Sequence, residues 1–227
     1  MPSLEFDNLP LIEVSINLVL TEPIAVKWSL LEGIREALRD RLPIVTNFFS
    51  GLQPAPIGFV LGAAPGASFE NEIGVKVDVR HDRISSTWLK TQADARYVRF
   101  GPLLEALKLA YRAADSPRVR VVNMAYVNRA PSEHGTLAEL LRPEAFPSAS
   151  AGRLQDYNAA WTLEDGVEFR LQCSLSDEGA VISSAAGLRS DGDWETELDA
   201  IHEALQQQFS TLITDHAKEV WQWQTIR

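Results

Sequence analysis

The residues of this chain best suited to chemistry are histidines and carboxylates on its last predicted helix. His202-Glu203-Ala204-Leu205-Gln206 has the start of a zinc-protease helix. That helix needs histidines four residues apart, so that both imidazoles reach one metal, with the glutamate as base. Gln206 holds the second place, which removes that chemistry. On one continuous helix His216 would lie about 21 Å from His202, since each residue rises about 1.5 Å, and the two could not share an ion. His202 borders the apolar stripe and reads as a half-buried, hydrogen-bonded histidine.

Other arrangements fail on type or spacing. Gly58-Phe-Val-Leu-Gly-Ala-Ala-Pro-Gly66 lacks the Gly-Lys-Ser/Thr that reaches phosphate and magnesium, and Pro65 removes a backbone donor. It reads as a surface loop. No Gly-x-Ser-x-Gly elbow is present. Cys173, the single cysteine, sits in the alternating run Val167, Phe169, Leu171, Cys173, Leu175 and is expected to be a small core residue. His81-Asp82 reads as a hairpin tip, and Asp191 and Asp193 as helix caps. No catalytic residue, metal site or cofactor is predicted.

Two groups remain. Trp88, Arg96, Tyr97, Arg99 and His202 combine aromatic walls with a few polar groups, the make-up of a small-ligand cleft between sheet and C-terminal helix. Glu195, Asp199 and Glu203 fall at four-residue spacing on one helix face, a surface for a partner that is basic. Nucleic acid is the subordinate expectation, through the Arg96–Arg120 region. There Arg118 and Arg120 alternate onto one strand face beside Tyr97 and Phe100.

The 227 residues carry a net charge of −10, against a mainly electrostatic grip on phosphate. Residues 1–115 hold 12 basic and 14 acidic groups, residues 116–227 hold 9 and 17. No apolar run reaches about 18 residues and no basic leader precedes an apolar stretch, so a cytoplasmic protein without a membrane segment is expected.

These residues must be positioned by elements that run twice in the same order: strand, helix, three strands, helix. In the first pass Ile12, Val14, Ile16, Leu18 and Leu20 share a strand face. Trp28, Leu31, Ile34 or Arg35, Leu38 and Leu42 make a helix stripe ended by Pro43. Ile57–Leu61 could form a short buried strand, followed by strands at Val75–Arg80 and Ile84–Lys90 and a helix opened by Gly101-Pro102. Ser116-Pro117 divides the halves. The second pass has a strand at 118–128, a short helix near Leu137–Leu141 and strands around 155–163, 167–175 and 180–186. It closes with a helix over 194–220, and the two tryptophans of Trp221-Gln-Trp-Gln224 are expected to pack back on the core. The prediction is an α+β fold of two pseudo-repeats, 1–115 and 116–227, together one compact unit. The sheet would be mainly antiparallel, with helices packed on one face.

Three ordered segments resemble a sporadically distributed, uncharacterised bacterial family of conserved hypothetical proteins. They are the Pro10-Leu-Ile-Glu13 strand start, the block Val77–Trp88 with Tyr97-Val-Arg-Phe-Gly-Pro-Leu-Leu-Glu105, and Ile201–Phe209 with Leu212-Ile-Thr-Asp215. Val98 departs from the proline common in the family's Tyr segment. The resemblance implies a shared fold; the family brings no established activity, so no catalytic residues are carried over from it. The family's distribution implies mobile-gene cargo, and with it a non-catalytic binding or accessory protein of a prokaryotic defence, toxin–antitoxin or CRISPR-linked system, acting through a protein partner. A small-ligand-binding protein or enzyme is the alternative expectation.

Overall fold

The computed structural model describes residues 4–6, 10–48, 52–54, 59–61, 66–91, 100–142, 156–177, 179–221 and 223–225. Along the chain come β1 (Leu4–Phe6), β2 (Leu11–Leu20), α1 (Trp28–Leu38), β3 (Ile44–Phe48), β4 (Leu52–Pro54) and β5 (Phe59–Leu61). Next are β6 (Gly66–Glu70), β7 (Val75–Arg80), β8 (Arg83–Leu89), α2 (Phe100–Ala113) and β9 (Val119–Pro131). After a 3₁₀ turn follow α3 (Leu137–Leu140), β10 (Asp156–Thr162), β11 (Glu168–Ser176) and β12 (Gly179–Arg189). The chain finishes with α4 (Trp194–Leu212), α5 (Asp215–Val220) and β13 (Trp223–Thr225). The fold is α+β, with helices packed against antiparallel strands.

Two compact units share the chain: Met1–Val14, Asn123–Leu188 and Glu195–Arg227 form unit one, and Ser15–Val122 with Arg189–Trp194 form unit two. The run β2-β8-β7-β6-β3 belongs mainly to unit two and the run β10-β11-β12-β9 mainly to unit one, with β2 divided after Val14 and β9 after Val122. Each run folds the same way. A three-strand meander (β6-β7-β8 or β10-β11-β12) turns back so that its last strand lies beside the strand that opened the repeat, and a helix follows. Unit two carries β3 in addition, beyond β6.

In unit two the period-two residues Val75, Val77 and Val79 face one way, with cross-strand partners Trp88, Ser86 and Ile84 on β8 and Phe69 and Ala67 on β6. All are buried. α2 covers β8 and β7 with Leu103, Ala106, Leu107 and Ala110, while α1 packs against α2 and β6. Burying each such aliphatic side chain contributes about 1.5–3 kcal/mol against the ordering cost.

Unit one repeats this alternation. Val167, Phe169, Leu171 and Cys173 are buried, as are Ala180, Ile182, Ser184 and Ala186 on β12. The inward stripe expected of the closing helix is Leu198, Ile201, Leu205, Phe209, Leu212 and Val220; the first five are buried on α4, whereas Val220 lies on α5 and is half-buried. At Gly179 the backbone adopts φ +129°, and a Cβ there would lie 2.2 Å from the Ala130 carbonyl oxygen, so only glycine fits.

The single closing helix is corrected. α4 stops at Leu212 because Ile213 bridges to Leu141, and Thr214 Oγ1 accepts from the Ala217 N–H at 3.1 Å to cap a separate α5. The straight-helix distance between His202 and His216 therefore does not apply. Trp221 does pack back: it is fully buried and stacks on Phe209, with rings 6.2 Å apart and 2° from parallel. The side chain of Trp223 lies outside the described residues. Among the described residues no helix is long and apolar enough to cross a membrane.

Candidate functional site

A concavity lies in unit two, between α1 and the last strand of the run. Leu31, Ile34 and Leu38 turn inward from α1, as their three-and-four spacing dictates. Trp28, expected on that stripe, is instead 58% exposed. It occupies the first position of α1. The helix also ends at Leu38, five residues before Pro43. Leu42 N–H donates to the Leu38 carbonyl at 2.8 Å, and Asn71 Nδ2 donates to the Arg41 carbonyl at 3.0 Å, turning the chain into β3. β3 has no counterpart among the expected elements, because five residues after a proline leave no period to count.

β3 pairs with β6 in the register Val45↔Phe69 and Thr46↔Ser68. β6 is its one neighbour among the described residues. A cleft of about 250 Å³ lies beside it, lined by Trp28, Leu31, Glu32 and Arg35 of α1 and by Pro43, Val45 and Phe69. Glu32 and Arg35 pair at 3.4 Å with both side chains well exposed. The lining is an aromatic plate and aliphatic floor with one ion pair at the rim. It suits an apolar side chain, and its one carboxylate, Glu32, is paired with Arg35.

On the other face of the unit-two strands, Ser68, Asp78 and Ser85 stand in one cross-strand row. The Ser68 hydroxyl donates to Asp78, and Lys76 Nζ lies 2.9 Å from the same carboxylate. Asp78 is thus neutralised by Lys76, and the row reads as cross-strand support.

The residues expected to form a ligand cleft are placed as follows. Trp88, 1% exposed, is packed in the core of unit two opposite Val75. Arg96, Tyr97 and Arg99 lie outside the described residues. Arg118 and Arg120 are exposed on either side of buried Val119, as alternation requires. His202 belongs to unit one. It is half-buried, with its ring 6.3 Å from that of Tyr126, and Gln206 Nε2 lies 3.0 Å from its Nε2. The residue that replaces the second zinc ligand therefore donates to the imidazole. Burial pushes the His202 pKa down, against an opposing pull from Asp199. Among the described residues no three His, Cys, Asp or Glu side chains converge on a metal position.

On α4, Asp199 and Glu203 are exposed and Glu195 half-exposed along one face. The helix holds four acidic residues and no lysine or arginine. A second polar group in unit one is structural. Glu139 accepts from the Thr136 N–H at 2.7 Å and from its hydroxyl at 2.9 Å, a capping box that the Thr-x-x-Glu spacing announces. These bonds, with the charge of His216, hold the Glu139 carboxyl below the usual carboxylate range. Comparison with protein-family models and with curated proteins finds no match for this chain.

Proposed function

We propose that this chain is a non-catalytic binding protein that engages a protein partner along β3 and the cleft beside Trp28. One observation carries the reading: the strand that ends the unit-two run, Ile44-Val-Thr-Asn-Phe48, has no charged residue, and a 58%-exposed tryptophan stands next to it. Sheet edges in soluble proteins are normally blunted by charge, proline or a cover, because unpaired N–H and C=O groups template another strand. Recognition by strand addition uses main-chain bonds for affinity and a side-chain pocket for specificity, and the cleft supplies such a pocket. Tryptophan is the residue type most enriched among interface anchors.

The acidic face of α4 around Glu195, Asp199 and Glu203 would steer a basic partner and raise its association rate in low salt. The family resemblance suggests that the partner belongs to a prokaryotic defence, toxin–antitoxin or CRISPR-linked system. The test is affinity capture of the tagged protein from its host, with Trp28→Ala and Ile44→Lys in parallel. A stoichiometric protein retained by the wild type and lost from both variants is expected. Retention unchanged in both variants, or a bound small molecule in place of a protein, would refute this reading.

A further inference from the structure

We propose that the segment paired with β3 is β3 of a second copy of this chain, related by a two-fold axis normal to the sheet. This rests on the reading of β3 as a binding edge and names its occupant. The argument begins with the exposed flank of α1. Trp28, Glu32, Arg35 and Arg39 are spaced four, three and four residues apart, so at 100° per residue they form one stripe. Three of them border the cleft beside β3. The spacing reads the same in both directions. Two such stripes laid antiparallel therefore set Glu32 opposite Arg35 of the second copy, and Trp28 opposite its Arg39, each contact occurring twice. The first is an ion pair and the second places a guanidinium over an indole face.

The same operator suits the backbone. A two-fold normal to the sheet makes β3 antiparallel to its copy, continuing the antiparallel order, and keeps both α1 helices on one face, antiparallel to each other. Neighbouring strands lie about 4.8 Å apart, so the axis falls about 2.4 Å outside β3. α1 contacts β6 and shares the cleft with Val45 and Phe69, which sets it over the gap between β6 and β3. The two helices then stand about 10 Å apart, the ordinary distance for packed helices.

The experiment is sedimentation equilibrium on the full chain across the micromolar range. The wild type is expected at twice its 25.2 kDa mass. Arg35→Glu sets two carboxylates opposite each other and Glu32→Arg two cations, both at exposed positions, and each variant alone should dimerise about tenfold more weakly. An equimolar mixture of the two restores both opposite-charge pairs and should recover the dimer as a mixed species. A monomeric wild type, or a dimer indifferent to both substitutions, or a mixture no tighter than its components, would overturn the two-fold. A monomeric wild type that still captures a different protein through Trp28 would overturn the two-fold alone and leave the proposed function standing.

Discussion

Truncating Trp221 tests the account of the C-terminal segment most directly. Its ring is fully buried, stacked on Phe209, at the C-terminal cap of α5. A buried tryptophan removes about 150–250 Å² from water, worth roughly 4–6 kcal/mol at ~25 cal/mol per Å². After the cavity partly relaxes, Trp221→Ala should cost about 3–5 kcal/mol. Its indole Nε1, however, is buried without a hydrogen-bond partner among the described residues. Leaving such a donor unsatisfied costs about 1–3 kcal/mol. Trp221→Phe keeps most of the stack and removes that donor, so its lost volume and its relieved penalty nearly cancel. Urea unfolding, followed by tryptophan fluorescence and by circular dichroism, should place Trp221→Phe within about 1 kcal/mol of wild type and Trp221→Ala several kcal/mol below it. A Trp221→Ala loss under 1 kcal/mol would show that the ring does not anchor the segment. A Trp221→Phe loss as large as that of Trp221→Ala would show that the indole N–H is bonded after all.

Further outcomes follow from single groups. Burial pushes the Cys173 thiol up to about 12, so a thiol reagent at pH 8 should label it only on unfolding, and fast labelling of the native protein would contradict its core position. His202 has its pKa lowered by burial, so the unfolded chain binds its proton more readily. Its contribution to stability is present above about pH 6.5 and is lost as pH falls through the lower folded value. His202→Gln should flatten that part of a stability–pH curve, and an unchanged slope would count against the burial. Gly179→Ala meets the Ala130 carbonyl at 2.2 Å, whereas Gly166→Ala, at φ +83°, meets nothing within 4 Å. Thermal melts should show the first costing well over 2 kcal/mol and the second about 1 kcal/mol, and equal costs would refute the steric argument.

The alternating strands of both meanders were legible because a period of two over six or more residues has one physical solution when one face is buried. Val75–Arg80, Glu168–Ser176 and Gly179–Arg189 fall close to their expected places. Cys173 was read as a core residue from that period alone, and His202 as half-buried from its place beside the α4 stripe. The misses cluster where short segments adjoin Pro and Gly. β3 and β6 carry too few residues to show a period, and β3 is the strand on which the candidate surface rests. Trp28 was assigned inward because it fits the spacing of Leu31 and Leu38, yet hydropathy spacing cannot say how far a helix's covered stripe extends around its first turn.

From the sequence alone came the class of fold, the order of its elements, the inward residues of each long element and the absence of any complete catalytic motif. Each of these depends on neighbours within a few residues, where backbone geometry dictates which side chains share a face. Tertiary structure decided which strand ends the unit-two run, which flank of α1 borders a cleft, and where the last helix breaks. Those depend on pairings between distant residues, such as Val45 with Phe69 and Leu141 with Ile213. A local pattern carries no record of such partners, because the free energy that selects them belongs to the assembled sheet and not to either segment.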